Sequence, residues 1–301
     1  MSSNHAEPRN PAADRAGSHR AHSAVEAHAI SDTLRIPLAA RALGDALFPE
    51  VAVHDVCAAK ALARLGDDGS LWLKDRHSVY GILSRTRIFR DLALSYLNDH
   101  PAGRLINLGS GLSHYFQWLD NGRARMTDAD LPDVIALRRE FLGPPGERHQ
   151  LVELDLCQPG WWDRLGLPPD RTGEPVFLMS EGVLMYLRPQ VVSAVLAEFG
   201  ERAPAGSVLA FDAMCWLAAG HAKQHPSVRH TKAEIAWGPR RPDDLLTPHP
   251  RLRLAATHRV MEGYGLPFSV IGPLSRLLLR VPFYALYELR TDDGRSSGDG
   301  R

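Results

Sequence analysis

Residues 105–111 read Leu105-Ile106-Asn107-Leu108-Gly109-Ser110-Gly111, a short aliphatic run that ends in two glycines separated by one residue. The run predicts a buried strand, and the glycines after it let the backbone pass close to a bound cofactor because they have no side chain in the way. A turn of this kind suits several cofactors. A dinucleotide fingerprint requires a third glycine where this chain has His114, and a phosphate-binding loop requires Gly-Lys-Ser/Thr, which the turn does not contain.

Strand-like and helix-like patterns alternate from this turn onward. Proline at the first position of two of the helical patterns is typical of a helix N-terminus. The predicted strands are Leu105–Leu108, Arg125–Asp130, Gln150–Leu154, Val176–Met179 and Val208–Phe211, and the predicted helices are Pro132–Phe141, Trp161–Leu165 and Pro189–Arg202. This alternation predicts an α/β fold with a doubly wound, mostly parallel sheet.

Different patterns flank the alternating region. Apolar residues at helical spacing from Asp32 and again over Val79–Leu97 predict two or three helices before the first strand, which would form an N-terminal helical cap. Near the other end, Leu252–Val260 and Phe283–Leu289 read as strands joined through a Gly/Pro-broken loop and a short helix around Leu274–Leu279. Two adjacent closing strands predict an antiparallel edge on the sheet.

Composition and charge narrow the function classes. Lys plus Arg and Asp plus Glu number 35 each, so no net charge attracts nucleic acid or an anionic membrane. The apolar stretch 274–289 is interrupted by Arg276, Arg280 and Pro282 and is too short to span a bilayer. The three cysteines form no C-x-x-C pair, so we expect no metal site.

We expect one catalytic domain over residues 31–290, with disordered tails at 1–30 and 291–301. The N-terminal tail is rich in Ala, His, Arg, Ser and Pro and has no apolar signal core, which favours a cytoplasmic protein.

Acidic residues follow the later strands. Asp128 and Asp130 lie about twenty residues after the turn, where related sheets place a carboxylate that binds ribose hydroxyls. Strand alternation puts both on one face, so that one can bind and the other support it, although either could instead cap the helix that begins at Pro132. Asp155 and Glu181 end the next two strands. Because strand carboxyl ends converge on the turn, these acids favour a cationic cofactor over a pyrophosphate.

Five segments of the chain resemble the leucine carboxyl methyltransferase family, and within it the bacterial branch that includes a polyketide carboxyl O-methyltransferase. The segments are Asp32–Ala42, Arg85–Phe89, Asn107–Leu112, Asp128–Ile135 and Glu181–Leu187, with further similarity at His225–Val228 and an overall span of about residues 32 to 290. The resemblance implies a Rossmann-like class I methyltransferase fold and S-adenosyl-L-methionine as the cofactor.

The resemblance also implies roles for individual residues. Arg85 would pair with the cofactor's amino-acid carboxylate, with Arg41 as a second basic contact. Gly109, with Gly111 beside it, would admit the methionine moiety, Asp130 supported by Asp128 would hold the ribose, Asp155 and Leu156 would meet the adenine, and Glu181 would lie near the ammonium and sulfonium groups.

The chain departs from the family in Ser113-His114-Tyr115, where relatives carry an acidic residue and then Thr. Ser113 can still cap a helix. A carboxylic acid acceptor is ionised at neutral pH and needs no general base, whereas a phenol would benefit from one. The candidates for that base are His114, Tyr186 as a relay, and His225 or His221, and a structural role for His114 is the competing interpretation.

We expect the acceptor pocket to form between the N-terminal helices and the segment between Cys215 and Leu252, with Trp216, Trp237 and Tyr264 nearby. These aromatic residues either stack on a flat acceptor or pack within a helical lid, and packing is the favoured role for each one singly. The leading hypothesis is an O-methyltransferase, monomeric or homodimeric, for a carboxylate or phenol of a small molecule such as an aromatic or polyketide acid. The alternatives are a protein C-terminal carboxyl methyltransferase, a non-catalytic cofactor-binding homologue, and a dinucleotide-dependent oxidoreductase, which the missing third glycine opposes.

Overall fold

The computed structural model describes residues 32–169, 171–219 and 234–293. The predicted tail 1–30, His221 and His225 lie outside these ranges. The helices are α1 Asp32–Leu43, α2 Val56–Leu65, α3 Arg76–Asp99, α4 Phe116–Leu119, α5 Pro132–Phe141, α6 Trp161–Arg164, α7 Pro189–Arg202 and α8 Phe268–Leu279. The strands are β1 Arg104–Leu108, β2 Arg125–Asp130, β3 His149–Glu153, β4 Val176–Ser180, β5 Val208–Met214, β6 Leu252–Arg259 and β7 Tyr284–Thr291.

The seven strands form one sheet in the order β3-β2-β1-β4-β5-β7-β6. The first five strands pair in parallel, and β7 runs antiparallel to both β5 and β6. This arrangement confirms the predicted fold class, a Rossmann-like α/β fold with a doubly wound, mostly parallel sheet and an antiparallel edge. The order in which the chain adds strands to the sheet reverses between the parallel neighbours β1 and β4. The carboxyl ends of these two strands therefore border the crevice in which open α/β sheets bind ligands.

Both faces of the sheet are buried, which explains why its central strands are almost wholly apolar. Alternate residues of β1 and β4 enter different core clusters: Leu105 and Phe177 pack on the side of α3, and Ile106 and Leu178 on the side of α6 and α7. The edge strand β6 instead alternates between exposed and more buried positions along its length.

The helices α1 to α3 form the predicted cap. Asp55 and Asp75 begin α2 and α3 as N-caps, since their carboxylates accept hydrogen bonds from the amides of Ala58 and Ser78. The longest described helix, α3, is fastened to the far end of the chain where the Ser84 hydroxyl donates to the carbonyl of Val260 over 2.9 Å. Residues of α1 and α3 line one cavity together with the segments that follow β1 and β4, so the cap covers the strand ends that border the crevice.

The helix before β7 begins at Phe268, six residues earlier than the predicted start near Leu274. Gly272 and Pro273, which precede the predicted start, lie inside it. Its first turn is closed by the amides of Val270 and Ile271, which both donate to the carbonyl of Pro267. In the described part of the chain, no helix combines the length and the apolar character that crossing a bilayer requires.

Candidate cofactor and acceptor site

A cavity of about 520 Å³ lies at the carboxyl ends of the parallel strands, under the helical cap. This volume is within the usual range of small-molecule sites, roughly 300–1,000 Å³. One part, the cofactor end, is lined by the glycine turn and by Asp130, Asp155 and Leu156. The other part, the acceptor end, is lined by side chains of α3, α8 and the segments around β5 and β7, among them Ile82, Met214, Ile235, Met261, Phe268 and Phe283.

The glycine turn needs its glycines for two separate reasons. Gly109 and Gly111 have φ angles of 71° and 49°, in the left-handed region that disfavours residues with a side chain. A Cβ at Gly109 would also lie 2.3 Å from Cγ2 of Val183 in the loop after β4. The turn therefore presents bare backbone to the cavity, as the sequence predicts.

Asp130 ties the turn to the end of β2. Its Oδ2 accepts a hydrogen bond from the Gly111 amide at 2.7 Å, and its Oδ1 accepts one from Leu131 at 2.8 Å. Burial raises the pKa of Asp130 above its usual range, although these two amides act in the opposite direction. The carboxylate lines the cavity and has acceptor capacity left for hydroxyl donors such as those of a ribose.

The end of β3 supplies the next part of the cofactor end. Asp155 and Leu156 line the cavity, and Oδ1 of Asp155 accepts a hydrogen bond from the amide of Cys157 at 2.8 Å. Glu153, two residues earlier, is exposed and lies 3.5 Å from Arg139. Of the acids that end this strand, Asp155 is thus the one placed to meet a ligand.

Glu181 forms the centre of a charged cluster between the two ends of the cavity. Its Oε1 accepts hydrogen bonds from Nε of Arg85 and Oγ1 of Thr86, both at 2.9 Å, and its Oε2 accepts one from the Tyr115 hydroxyl at 2.6 Å. Burial by itself would raise the pKa of Glu181, but Arg85, Arg41 and these donors outweigh it and hold the pKa below the usual range. Glu181 is therefore an anion at neutral pH.

Arg85 also contacts two residues that the sequence patterns did not identify. Its Nη1 donates to Oδ2 of Asp212 at 3.2 Å and to the Tyr284 hydroxyl at 2.9 Å, while the Tyr284 hydroxyl donates to Asp212 at 2.5 Å. Asp212 is fully buried at the end of β5 and also accepts from the Gly182 amide at 2.6 Å. Burial raises its pKa, against the effect of Arg85 and Tyr284. The only sequence signal for Asp212 is an acidic residue inside an otherwise apolar strand.

Arg41 lies behind the cofactor end and is nearly inaccessible to solvent. Its Nε donates to Oδ2 of Asp55 at 3.0 Å, and its Nη2 donates to the carbonyl of Leu112 at 3.1 Å. Arg41 lines the cavity and is one of the positive charges that lower the pKa of Glu181. Its predicted contact with the cofactor stays a prediction.

Asp128 does not line the cavity, in contrast to Asp130 on the same strand. It is fully buried below the turn, where its carboxylate is hydrogen bonded to Arg138, to His149 at 2.7 Å and to Asn107 at 3.1 Å. Of the two roles predicted for this pair of aspartates, the geometry favours support for Asp128 and ligand contact for Asp130.

The segment Ser113-His114-Tyr115, which differs from the family pattern, supports the structure around the glycine turn. Ser113 caps no helix, because its hydroxyl donates to the Ser110 carbonyl at 2.7 Å and α4 begins only at Phe116. His114 packs against His149 with ring centroids 5.2 Å apart and does not line the cavity, and burial lowers its pKa. This position favours the structural interpretation of His114 over a catalytic one.

The structure favours packing over acceptor contact for the three aromatic residues that the sequence placed near the acceptor pocket. Trp216, Trp237 and Tyr264 do not line the cavity, whereas Phe268 and Phe283 do. Trp216 packs against Arg240 and Trp237 against Phe211, so both serve local packing. Tyr264 packs against His77 with ring centroids 4.6 Å apart and the rings tilted by 45°.

Two titratable side chains of the acceptor end could take part in chemistry. Tyr186 lines the cavity, and burial raises the pKa of its hydroxyl above the usual range. His77, on the first turn of α3, also lines the cavity and is about half exposed. No sequence pattern singled out His77, because one histidine among fourteen carries no signal before its position in the fold is known.

The cofactor end fits S-adenosylmethionine by its shape and charge. Side-chain-free backbone at Gly109 leaves room for close approach, and a half-buried carboxylate at Asp130 can accept hydroxyl donors. Arg41 and Arg85 are each paired with carboxylates at bonding distance, which leaves Asp130 and Asp155 as additional negative charge at the cavity wall. An excess of acids suits a ligand with a sulfonium and an ammonium group.

Comparisons with known proteins agree with this assignment. The family described as leucine carboxyl methyltransferase matches residues 11–200, a range that includes the glycine turn and every predicted cofactor residue. The tetracenomycin polyketide synthesis O-methyltransferase TcmP of Streptomyces glaucescens is 29% identical over 225 residues, which are 74% of this chain and 80% of that protein. The S-adenosyl-L-methionine-dependent methyltransferase dpfgK of Gibberella zeae is 29% identical over 271 residues, 83% of this chain and 88% of that protein.

Among solved structures, magnesium protoporphyrin IX methyltransferase from Synechocystis is similar at a TM-score of 0.46 and 11% identity, over 71% of this chain and 86% of that one.

Proposed function

We propose that this chain, which belongs to the leucine carboxyl methyltransferase family of S-adenosylmethionine-dependent enzymes, methylates a carboxylate or phenol oxygen of a small natural product such as a polyketide. The observation that carries the proposal is one cavity with a charged cofactor end and an apolar, partly aromatic acceptor end. The named activity of the TcmP relative supports the same class of acceptor.

The acceptor end supports a flat, apolar acceptor. Phe268 and Phe283 lie with their ring centroids 6.3 Å apart and contribute to its wall together with Met214 and Met261. Aromatic rings stack favourably on such side chains, and thioethers adapt to irregular shapes. These residues lie beyond residue 200, outside the range that matches the family, so the acceptor is the part of the function that the family leaves open.

When bound, S-adenosylmethionine supplies the methyl group, which passes to an acceptor oxygen as its bond to the sulfonium sulfur breaks. We propose that Asp130 binds the ribose of the cofactor, and that Asp155 and Leu156 contact its adenine. Gly109 and Gly111 leave room for its methionine portion, whose charged groups are bound by Arg85, Arg41 and Glu181. These residues bind and orient the cofactor, while the apolar acceptor end excludes water from the reacting atoms.

The chemistry required of the protein depends on the acceptor. A carboxylic acid has a pKa near ~4 and is already an anion at neutral pH, so alignment alone suffices. A phenol, with a pKa near ~10, would benefit from a base. Tyr186, with its raised pKa, is protonated at neutral pH and can only relay a proton, so among the described residues of the acceptor end His77 is the better candidate.

A methyl-transfer assay tests the proposal. The protein is incubated with S-adenosylmethionine carrying a labelled methyl group and with three acceptor sets: aromatic carboxylic acids, phenols, and peptides that end in leucine. We expect label in the small aromatic acceptors, and base treatment separates a labile ester from a stable ether. Label found only in the peptides would replace the proposal with protein carboxyl methylation, and cofactor binding without transfer to any set would favour a non-catalytic homologue.

A further inference from the structure

We infer that Arg138, on α5, is a positioning residue for the cofactor, which acts by holding the glycine turn in its binding shape. Arg138 is 1% exposed and does not line the cavity, so it cannot touch a ligand there. Neither the family comparison nor the sequence patterns assign it a role.

The contacts of Arg138 are concentrated on the turn. Its Nη1 donates to the carbonyls of Ser110 at 3.3 Å, Gly111 at 2.7 Å and Ser113 at 2.6 Å. One guanidinium nitrogen thus donates to three backbone carbonyls within a segment of four consecutive residues. Carbonyls that converge on one point repel each other, and a buried guanidinium is the kind of group that can hold them together.

Arg138 is itself held in place by a buried network. Its Nη2 donates to Oδ2 of Asp128, the same oxygen that contacts Nε2 of His149. On the other side, the amide of Asn107 donates to Oδ1 of Asp128 at 3.1 Å and to the hydroxyl of Ser113 at 3.2 Å. The network links β1, β2, β3 and α5 to the inner side of the turn, opposite the cavity.

The same network argues against a metal ion at this place. The ligand atoms of His114, Asp128 and His149 lie within 4.8 Å of one another, which is close enough to hold a cation. The guanidinium of Arg138 already supplies positive charge to Asp128, and a second cation beside it would be repelled. The cluster is therefore better explained as the support of the turn.

The guanidinium geometry explains why arginine rather than lysine occupies this position. A planar fork can bind a carboxylate through one nitrogen and backbone carbonyls through the other at the same time. A lysine at the same place would keep the charge and three donors, but all on one nitrogen, which cannot occupy both the position of Nη1 at the turn carbonyls and that of Nη2 at Asp128.

The test compares Arg138→Met with Arg139→Met as the matched control. Arg139 is the next residue on α5, about half exposed, and pairs only with Glu153 among the described residues. Binding of S-adenosylmethionine is measured by isothermal titration, at a temperature where circular dichroism shows each variant folded. We expect Arg138→Met to raise the Kd about ten- to hundredfold, the ratio that corresponds to losing a charged hydrogen-bond donor, and Arg139→Met to leave it unchanged.

Two further variants separate positioning from simple charge balance. Arg138→Lys should recover part of the affinity. The double variant Arg138→Met with Asp128→Asn removes the uncompensated carboxylate, and we expect it to bind as weakly as Arg138→Met alone because the turn carbonyls still lack their donor. Wild-type affinity in Arg138→Met, or its recovery in the double variant, would overturn the inference. If Arg138→Met does not fold, the Arg138→Lys and double variants decide by the same criteria.

Discussion

Replacing Gly109 by alanine should damage the fold and the cofactor site together. The left-handed backbone at φ 71° costs a residue with a side chain about 1–2 kcal/mol. The new Cβ would lie 2.3 Å from Cγ2 of Val183, closer than carbon atoms can approach, and 3.0 Å from its Cγ1, which is a tight contact. Relieving such an overlap typically costs a further ~1–3 kcal/mol. We therefore expect the free energy of unfolding to fall by about 2–5 kcal/mol.

The matched control is Gly122→Ala. Gly122 has a φ of 83°, and a Cβ there would meet no atom within 4 Å. This variant carries the backbone cost alone, about 1–2 kcal/mol, and lies outside the cavity, so cofactor binding should be unchanged. Urea denaturation gives the two free energies, and isothermal titration with S-adenosylmethionine gives the two affinities.

A double-mutant cycle with Val183→Ala isolates the steric part. Removing the two methyl groups of Val183 that crowd Gly109→Ala should make the double variant more stable than the sum of the single effects predicts, by about 1–3 kcal/mol. Additive effects would mean that the overlap is relieved in some other way. Unfolding free energy and cofactor affinity of Gly109→Ala equal to those of Gly122→Ala would refute the reasoning about the turn.

Three further outcomes follow from the site. If Asp130 holds the ribose hydroxyls as proposed, it does so best as an anion, and its pKa is raised. The affinity for S-adenosylmethionine should therefore weaken as the pH falls through that pKa, at a higher pH than for an ordinary aspartate, and titration calorimetry on Asp130→Asn should show weaker binding that depends less on pH. Asp212→Asn removes one of the two buried carboxylates that pair with Arg85, and we expect the free energy of unfolding to fall by about 1–3 kcal/mol. Urea denaturation measures this change, and an unchanged value would show that Glu181 alone holds the arginine. Phe268→Ala should raise the acceptor KM without changing cofactor affinity, and Leu277→Ala, on the exposed side of the same helix, should change neither.

The sequence predicted most of the sheet because strand and helix patterns are local. A buried aliphatic run such as Val176–Met179 predicts a strand from its own residues, and a proline at the first helical position, as at Pro132 and Pro189, predicts where a helix begins. The predicted start of α8 near Leu274 was wrong, because the structure accommodates Gly272 and Pro273 within one helix that begins at Phe268. The sequence left open whether Trp216, Trp237 and Tyr264 contact an acceptor or pack locally, since aromatic side chains near a site in sequence need not face it, and the structure favours packing.

The sequence by itself determined the elements that form the cofactor end of the cavity: a glycine turn after a buried strand, and acids at the ends of the strands that follow. Parallel strands bring their carboxyl ends to one edge, so residues such as Asp130 and Glu181 converge whatever the details of packing. Only the tertiary structure decided which side chains hold these elements in place. Arg85 meets Tyr284 across 199 positions of the chain, and Arg138 turns its guanidinium to the inner side of the turn, because such contacts depend on how helices pack on the sheet rather than on any local pattern.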